Sequence, residues 1–574
     1  MTSPTSQMLP DEPIFKKLIE NGRSNPNVIF QDSSCGVDAT YPQLLHDIVS
    51  LRHRLYEWLP PSLFDENGRI KEENPYILIV APANYEFVVA SLAVLAIGAA
   101  LVPLAPAILP EEALYFSQRC RSKLMLVSSP CLPLASEIEQ HAQANSDHKL
   151  NIRPIASGLR CWEGEATFLG HSLLSEDDFG IDERMTVAAS RPSLILFTSG
   201  TTGPPKGVVH TRSFFYFGYG TSNADVFLTH RPVHWIGGLR STINLVANGT
   251  RQEVVASSAP AIWGRIREGG VTMLCCVIPM WWSLMRHYRD VINPLPENEK
   301  EAYLQGMRAL RVARVGGAMP LPSLLQFWRE EIGIPLELTY GCTETGGPGF
   351  MTDSQTDRSV ERCLGQPEDG VVTRFSEGDY GEIFLKTRFL FSHYLDDVEA
   401  TKAAFTDDGF FKTGDYVSRH GNEYIFEGRT STDFVRFHGF KIPVLEVETQ
   451  LAQLPSVAEA CVVSIPDKDA STRVGAIVRL SDGFEHENLL SIRTALADKL
   501  LYYKLPTALR VLGHGEQIPS VWSGKVARRK VSELFFPVSD SGNLPAEVEL
   551  WDIKDKELNG GPKKAWDWAG LQGC

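Results

Sequence analysis

Short apolar runs alternate with amphipathic segments of helix length along most of the chain. Tyr76–Val80, Leu124–Val127, Leu194–Phe197, Thr272–Val277 and Leu310–Val315 predict strands, whereas Glu111–Cys120 and Leu321–Glu331 carry the helical period. That alternation favours β-sheets covered on both faces by helices. Phe87–Leu104, FVVASLAVLAIGAALVPL, is long enough to span a bilayer. Its Ala and Gly content, Glu86 before it and Pro103 near its end favour a buried helix running into a strand instead. After Gly428 the texture shortens: a β-rich Phe434–Ile442, a helix Leu445–Leu454, a strand Ala458–Ile465 and a helix Asn488–Leu500. The expectation is an α/β chain with a large N-terminal domain of helix-covered sheets (1–428) and a small α+β C-terminal domain (429–536). They meet near Arg429–Asp433, where the small polar residues TSTD suit a hinge. The tail 537–574, with Gly560-Gly561-Pro562 and three Trp, reads as a loosely packed extension.

At 574 residues, 43% hydrophobic and 22% charged, the chain is an ordinary globular protein too long for one core. A net charge of -15 argues against a nucleic-acid partner, so an anionic ligand must be held by local basic groups. The ten Cys include one adjacent pair, Cys275-Cys276, and no CxxC, which suggests neither a zinc site nor a disulfide framework. The opening MTSPTSQMLPDEP has no apolar signal core, and the closing LQGC matches neither a peroxisomal tripeptide nor a prenylation box. The expected location is cytoplasmic.

Chemistry concentrates in FTSGTTGPPKG, Phe197–Gly207. A Gly-rich turn after a buried strand exposes backbone N–H groups and hydroxyls together, and Lys206 adds a point charge, a combination that suits a polyphosphate. It is not the common P-loop, because Pro205 precedes Lys206 and Gly207 follows it.

Extended to FTSGTTGPPKGVV, the stretch resembles the signature of the adenylate-forming superfamily, which includes acyl-CoA synthetases, adenylation domains of peptide synthetases and luciferases. Other motifs of that family follow in order: NYEFVVASLAVLAIGAALVPLAP from Asn84, VHWIGG from Val233, RVGGAMP from Arg314, TYGCTETGG from Thr339, GFFKTGD from Gly409, GRTSTDFVRFHGFKIPVLEVE from Gly428 and IPSVWSGKVARR from Ile518. The similarity runs from about residue 10 to about residue 535. It implies ATP- and Mg²⁺-dependent activation of a small carboxylic acid to an acyl-adenylate, followed by transfer to the thiol of CoA.

The resemblance also implies roles. Thr198, Ser199, Gly200, Thr201, Thr202, Gly203 and Lys206 would hold the β- and γ-phosphates, and Glu344 the Mg²⁺. Tyr340 would stack on adenine, with Gly317, Ala318, Gly341 and Thr343 around the nucleotide. Asp415 would bind the ribose hydroxyls and Arg429 the ribose or phosphates. Lys525 would bridge the acid's carboxylate and the α-phosphate in the transition state, although Val521 stands where Thr is common. For the second half reaction the small domain would rotate and bring Arg436, Gly439, Phe440 and Lys441 towards the thiol. The usual hinge GRxDD is altered here, a form shared with malonyl-CoA synthetase-like members, so the pivot is Thr432 or Asp433.

The acid is less defined. His234 and Trp235 stand where peptide-synthetase domains carry an Asp for the α-amine, which disfavours an amino acid. A malonate-type acid would need a second cationic clamp, yet Leu284 stands where that branch is expected to carry Arg. Arg240 and Arg286 are alternative clamps or simply core-edge and solvated residues. Trp235, Trp281 and Trp282 suit an apolar pocket for an alkyl or aryl acid, or equally plain core. Two rival readings are an enzyme that loads an acyl-carrier protein and an inactive nucleotide-binding homologue. Against the second, Lys206, Glu344, Asp415, Arg429 and Lys525 are all present. Leu169-Gly170-His171-Ser172-Leu173 resembles a phosphopantetheine attachment sequence but precedes the phosphate loop, so Ser172 is read as a surface residue.

Overall fold

The computed structural model describes residues 7–71, 75–146, 150–159, 179–198, 205–216, 221–353, 356, 360–429, 433–437, 440–467, 471–520, 526–538 and 543–553. Two large sheets dominate. The seven-stranded one runs, edge to edge, His393–Tyr394, Lys206–Thr211, Pro192–Thr198, Ala100–Leu104, Tyr76–Val80, Leu124–Val127 and Asn151–Pro154. It is parallel except at its first two strands. The nine-stranded one has a parallel centre of Glu337–Tyr340, Val312–Gly316, Met273–Val277, Val226–Thr229 and Arg251–Val254. Parallel strands in the middle of such sheets are covered on both faces, which is why Tyr76–Val80, Leu124–Val127 and Met273–Val277 read as continuous apolar runs.

The long apolar segment resolves as expected. Asn84 caps a helix at Tyr85–Ala96 by accepting from the Phe87 N–H (2.9 Å), and every residue of that helix is buried. Gly98, at φ +75°, reverses the chain into the strand Ala100–Leu104. Among the described residues no helix is long and apolar enough to cross a membrane. Leu321–Glu331 departs from the expected single helix: Pro322–Gln326 is α-helical and Phe327–Ile332 widens into a π-helical turn, which buries Phe327, Trp328 and Ile332.

A four-stranded antiparallel sheet, Val372–Glu377, Tyr380–Lys386, Phe411–His420 and Glu423–Arg429, leads into the C-terminal unit. There Ser471–Leu480 pairs with Phe434–Phe437, Val457–Asp467 and Ala508–Val511. Within the tail, residues 543–553 depart from the expected loose packing. Val548–Leu550 adds an antiparallel strand to Ala508–Val511, Val548 and Ile553 are buried, and Arg493 lies 4.1 Å over the Trp551 ring. The open edge of Ala508–Val511 needs a partner, and the tail supplies it.

Candidate active site

The phosphate-loop motif sits on a hairpin in which Thr198 pairs with Lys206, and the Thr198 hydroxyl donates to the Lys206 carbonyl (3.4 Å). Ser199, Gly200, Thr201, Thr202 and Gly203 lie outside the described residues. Lys206 is exposed, with Nζ 4.9 Å from the centre of the Tyr394 ring, and the Tyr394 hydroxyl donates to Glu344 Oε1 (2.9 Å). Burial and then the Glu344 charge push the Tyr394 hydroxyl pKa upward, so it stays a donor. Nothing in the sequence singles out Tyr394, which lies 50 residues from Glu344. Its segment ties both motifs together: Phe391 N–H donates to the Glu344 carbonyl (2.8 Å), Ser392 N–H to Val209 (2.7 Å) and Leu395 N–H to Gly207 (2.8 Å). Beneath them His210 is wholly buried and, as the neutral tautomer, donates from Nε2 to the Thr343 carbonyl (2.9 Å). Burial pushes its pKa down to about 4.

The other wall is built at the carboxyl ends of the parallel strands Val312–Gly316 and Glu337–Tyr340. Gly317, at φ +92°, and Ala318 are exposed there, and a Cβ on Gly316 would stand 2.6 Å from Thr339 Oγ1. A Cβ on Gly341 would stand 2.7 Å from the Gly347 carbonyl oxygen. The turn holding Glu344 is pinned by Thr345, whose hydroxyl accepts from Cys342 N–H (3.0 Å) and donates to Gly347 (2.8 Å). Tyr340 donates to Asp415 Oδ2 (2.7 Å), and Arg429 Nε donates to Asp415 Oδ1 (2.6 Å). Asp415 holds Arg429 firmly protonated, while burial and then Asp415 push the Tyr340 hydroxyl well above its usual range.

On the acid side, His234 and Trp235 precede the helix Ile236–Ala247, with their rings edge to face at 5.9 Å. Burial pushes His234 down to about 4. The other candidates divide. Trp281 is fully buried, donates to the Arg314 carbonyl (3.0 Å) and meets Trp328 at 4.7 Å, so it is core, and Trp282 packs against the same cluster. Leu284 is core as well. Arg240 is buried, donates to the Gly346 carbonyl (2.5 Å) and lies 4.3 Å over Phe389, whereas Arg286 is exposed. Neither therefore offers a free clamp inside the pocket.

At the junction, Asp433 accepts from Arg429 N–H (3.1 Å) and from Arg528 Nε (3.0 Å). Arg528 also pairs with Glu448 and donates to the Val462 carbonyl (3.0 Å). Arg436 is exposed on Phe434–Phe437, whose antiparallel partner Phe440–Pro443 contains Phe440 and Lys441. Thr432, Gly439, Lys525 and Ser172 lie outside the described residues.

Comparison with known proteins shows the family. Residues 67–395 match the family model for AMP-binding enzyme, and residues 446–525 that for AMP-binding enzyme C-terminal domain. The chain is 34% identical to acyl-CoA ligase oryP of Aspergillus oryzae, over 96% of this chain and 97% of that protein. It is 30% identical to a malonate–CoA ligase of Arabidopsis thaliana, over 79% of this chain and 77% of that one. The fold is similar to that of ATP-bound MatB from Rhodopseudomonas palustris, with a TM-score of 0.72 at 20% identity, covering 90% of this chain and 98% of that one. The chain belongs to the AMP-binding enzyme family, within the adenylate-forming superfamily.

Proposed function

We propose that the residues gathered above carry out both half reactions of an AMP-forming carboxylate–CoA ligase. The activity itself follows from family membership: the chain is an ATP-dependent ligase that activates a carboxylic acid and passes its acyl group to CoA. The observation that carries the residue assignment is the convergence of Lys206, Tyr394 and Glu344 on one side and Tyr340, Asp415 and Arg429 on the other. These flank the carboxyl ends of parallel strands, where open α/β sheets bind ligands.

Lys206 would neutralise the leaving pyrophosphate, and Asp415 would accept from the ribose hydroxyls. Among the described residues there is no cluster of three or more His, Cys, Asp or Glu that could form an all-protein metal cage. A lone Glu344 fits Mg²⁺, an ion commonly held by one carboxylate with phosphate oxygens and water. Bound there, it would spread the negative charge of the phosphates. Lys525 would stabilise the charge that gathers as carboxylate oxygen attacks the α-phosphorus. Asp433, held by Arg429 on one side and Arg528 on the other, is the better pivot candidate of the two. The eight described cysteines form no disulfide with one another, which suits a reducing compartment such as the cytoplasm.

Lys525→Ala should reduce pyrophosphate exchange by orders of magnitude, since one electrostatic stabiliser in such a site is worth roughly 3 kcal/mol or more. It should keep thioester formation from preformed acyl-adenylate. Gly439→Leu should do the converse. Equal loss of both half reactions in each variant, with unchanged melting, would count against alternation of the small domain. Adenylate formation without CoA acylation in the wild type would turn the acceptor into a carrier-protein thiol.

A further inference from the structure

The strand that the tail adds to the C-terminal unit has two faces, and they reach different neighbours. Val548 stands opposite Arg510 in the pairing with Ala508–Val511, and Glu549 opposite Leu509. Side chains alternate across a strand. Val548 is buried in a cluster with Val531 and Phe535, against which Ile518 and Leu544 pack. On the other face Glu549 accepts from the Leu489 N–H (2.8 Å) at the start of the helix Leu489–Leu496, and Arg493 of that helix lies 4.1 Å over the Trp551 ring.

The Val548 face holds both flanks of one short loop. Residues 521–525, with Lys525, lie outside the described residues, but the segments on either side of them close on each other. Ser520 bridges Val526, and the Ala527 N–H donates to the Pro519 carbonyl (2.9 Å). Ala527 leads directly into the helix Arg528–Phe535, whose Val531 and Phe535 are the residues buried with Val548. On the incoming side Ile518 packs on the same cluster. There Arg510, opposite Val548, also donates from Nη2 to Glu516 Oε1 (3.0 Å), and Arg479 donates to the Glu516 carbonyl (2.5 Å). The base of the Lys525 loop thus rests on a cluster that the tail completes. An electrostatic stabiliser acts through its placement, and a displacement of about 1 Å can cost roughly 100-fold in rate.

We propose that the tail is a positioning element for adenylation: Val548 and Leu544 seat the base of the Lys525 loop, so that the lysine meets the reacting carboxylate and α-phosphate in register. This rests on the reading of Lys525 given above. Glu549 and Trp551, on the opposite face, serve the stability of the C-terminal unit alone.

The test sets Val548→Ala against Trp551→Ala in the full-length protein. Amide hydrogen exchange reads the placement without substrate. Val548→Ala should speed exchange at Ala527 by roughly 10-fold, whereas Trp551→Ala should speed it across Leu489–Leu496 and leave Ala527 protected. Pyrophosphate exchange is then measured with whichever of acetate, hexanoate, benzoate and malonate the wild type uses best. Val548→Ala should lower its kcat by roughly 10- to 100-fold at an unchanged KM for ATP, and should keep thioester formation from preformed acyl-adenylate. Trp551→Ala should keep both half reactions although it too melts earlier, so lost stability by itself does not produce the split. Equal kcat in the two variants, or equal exchange at Ala527, would overturn the proposal. If the wild type uses none of the four acids, the Ala527 comparison decides alone. Lys525→Ala separates the two levels: a wild-type rate there would bring down the assignment of the lysine itself. Loss of exchange in Lys525→Ala beside a full rate in Val548→Ala would remove only the role of the tail.

Discussion

Two clusters in this molecule have the same parts and opposite purposes. Near the N-terminal helix, Arg212 Nε donates to Glu12 Oε2 (2.8 Å), Tyr216 donates to the same oxygen (3.1 Å), and both charged side chains are 1% exposed. At the nucleotide wall, Arg429, Asp415 and Tyr340 repeat the set, but Arg429 is 44% exposed and Asp415 6%. In the first cluster Arg212 also donates to the carbonyls of Ala99 (2.9 Å) and Leu95 (2.7 Å), so its hydrogen-bonding capacity is spent inside the fold. In the second the arginine faces open space. A closed triad fixes a chain segment, whereas an open one leaves donors and acceptors that can be handed to a ligand.

The contrast breaks most visibly in stability. Arg212→Ala strands the Glu12 carboxylate without a partner, a change that commonly costs about 3–5 kcal/mol. Its denaturation midpoint should fall markedly, with kcat per folded molecule unchanged.

Acid should separate the two regions next. His210, under the Thr343 turn, has a folded pKa near 4 against 6.5 for the free side chain. The unfolded chain therefore binds the extra proton first. The contribution is fully present above pH 6.5 and is lost as pH falls towards 4, by at most about 3 kcal/mol. Urea unfolding measured between pH 7 and 4 should show that slope, and His210→Gln should flatten it.

Asp415→Asn should leave the melting temperature nearly unchanged, because Arg429 can turn to water. It should raise the KM for ATP by roughly 10- to 100-fold through loss of charged hydrogen bonds to the ribose. A large drop in melting temperature with a normal KM would make the open triad a structural one.

The smallest effect is expected from Tyr394→Phe. Removing one hydrogen bond to Glu344, worth about 1 kcal/mol, should shift the Mg²⁺ concentration for half-maximal exchange several-fold. Saturating metal should restore most of the rate, a recovery that a merely structural defect would not show.

Much of this was legible beforehand. The run Phe87–Leu104 announced a helix and a strand through its Ala and Gly content, Glu86 before it and Pro103 near its end. The two-part division and the large-domain motifs followed from local patterns. Other features were hidden by distance in sequence. Tyr394 and Glu344 share no local pattern, and Trp281 and Trp235 look alike on paper although one is fully buried core and the other stands, partly exposed, at the N-cap position of Ile236–Ala247. The tail beyond Pro537 looked loose because of its Asp, Glu and Lys residues, Gly560-Gly561-Pro562 and scattered Trp, but the strand that Val548–Leu550 completes lies elsewhere in the chain.

The sequence by itself determined the fold class, the order of the elements and the class of chemistry, because periodicity and loop composition act over a few residues. The tertiary structure decided which charges are spent and which remain available. Glu337 satisfies Arg314, Glu12 encloses Arg212 and Asp415 leaves Arg429 44% exposed, since burial and pairing arise only when distant segments meet.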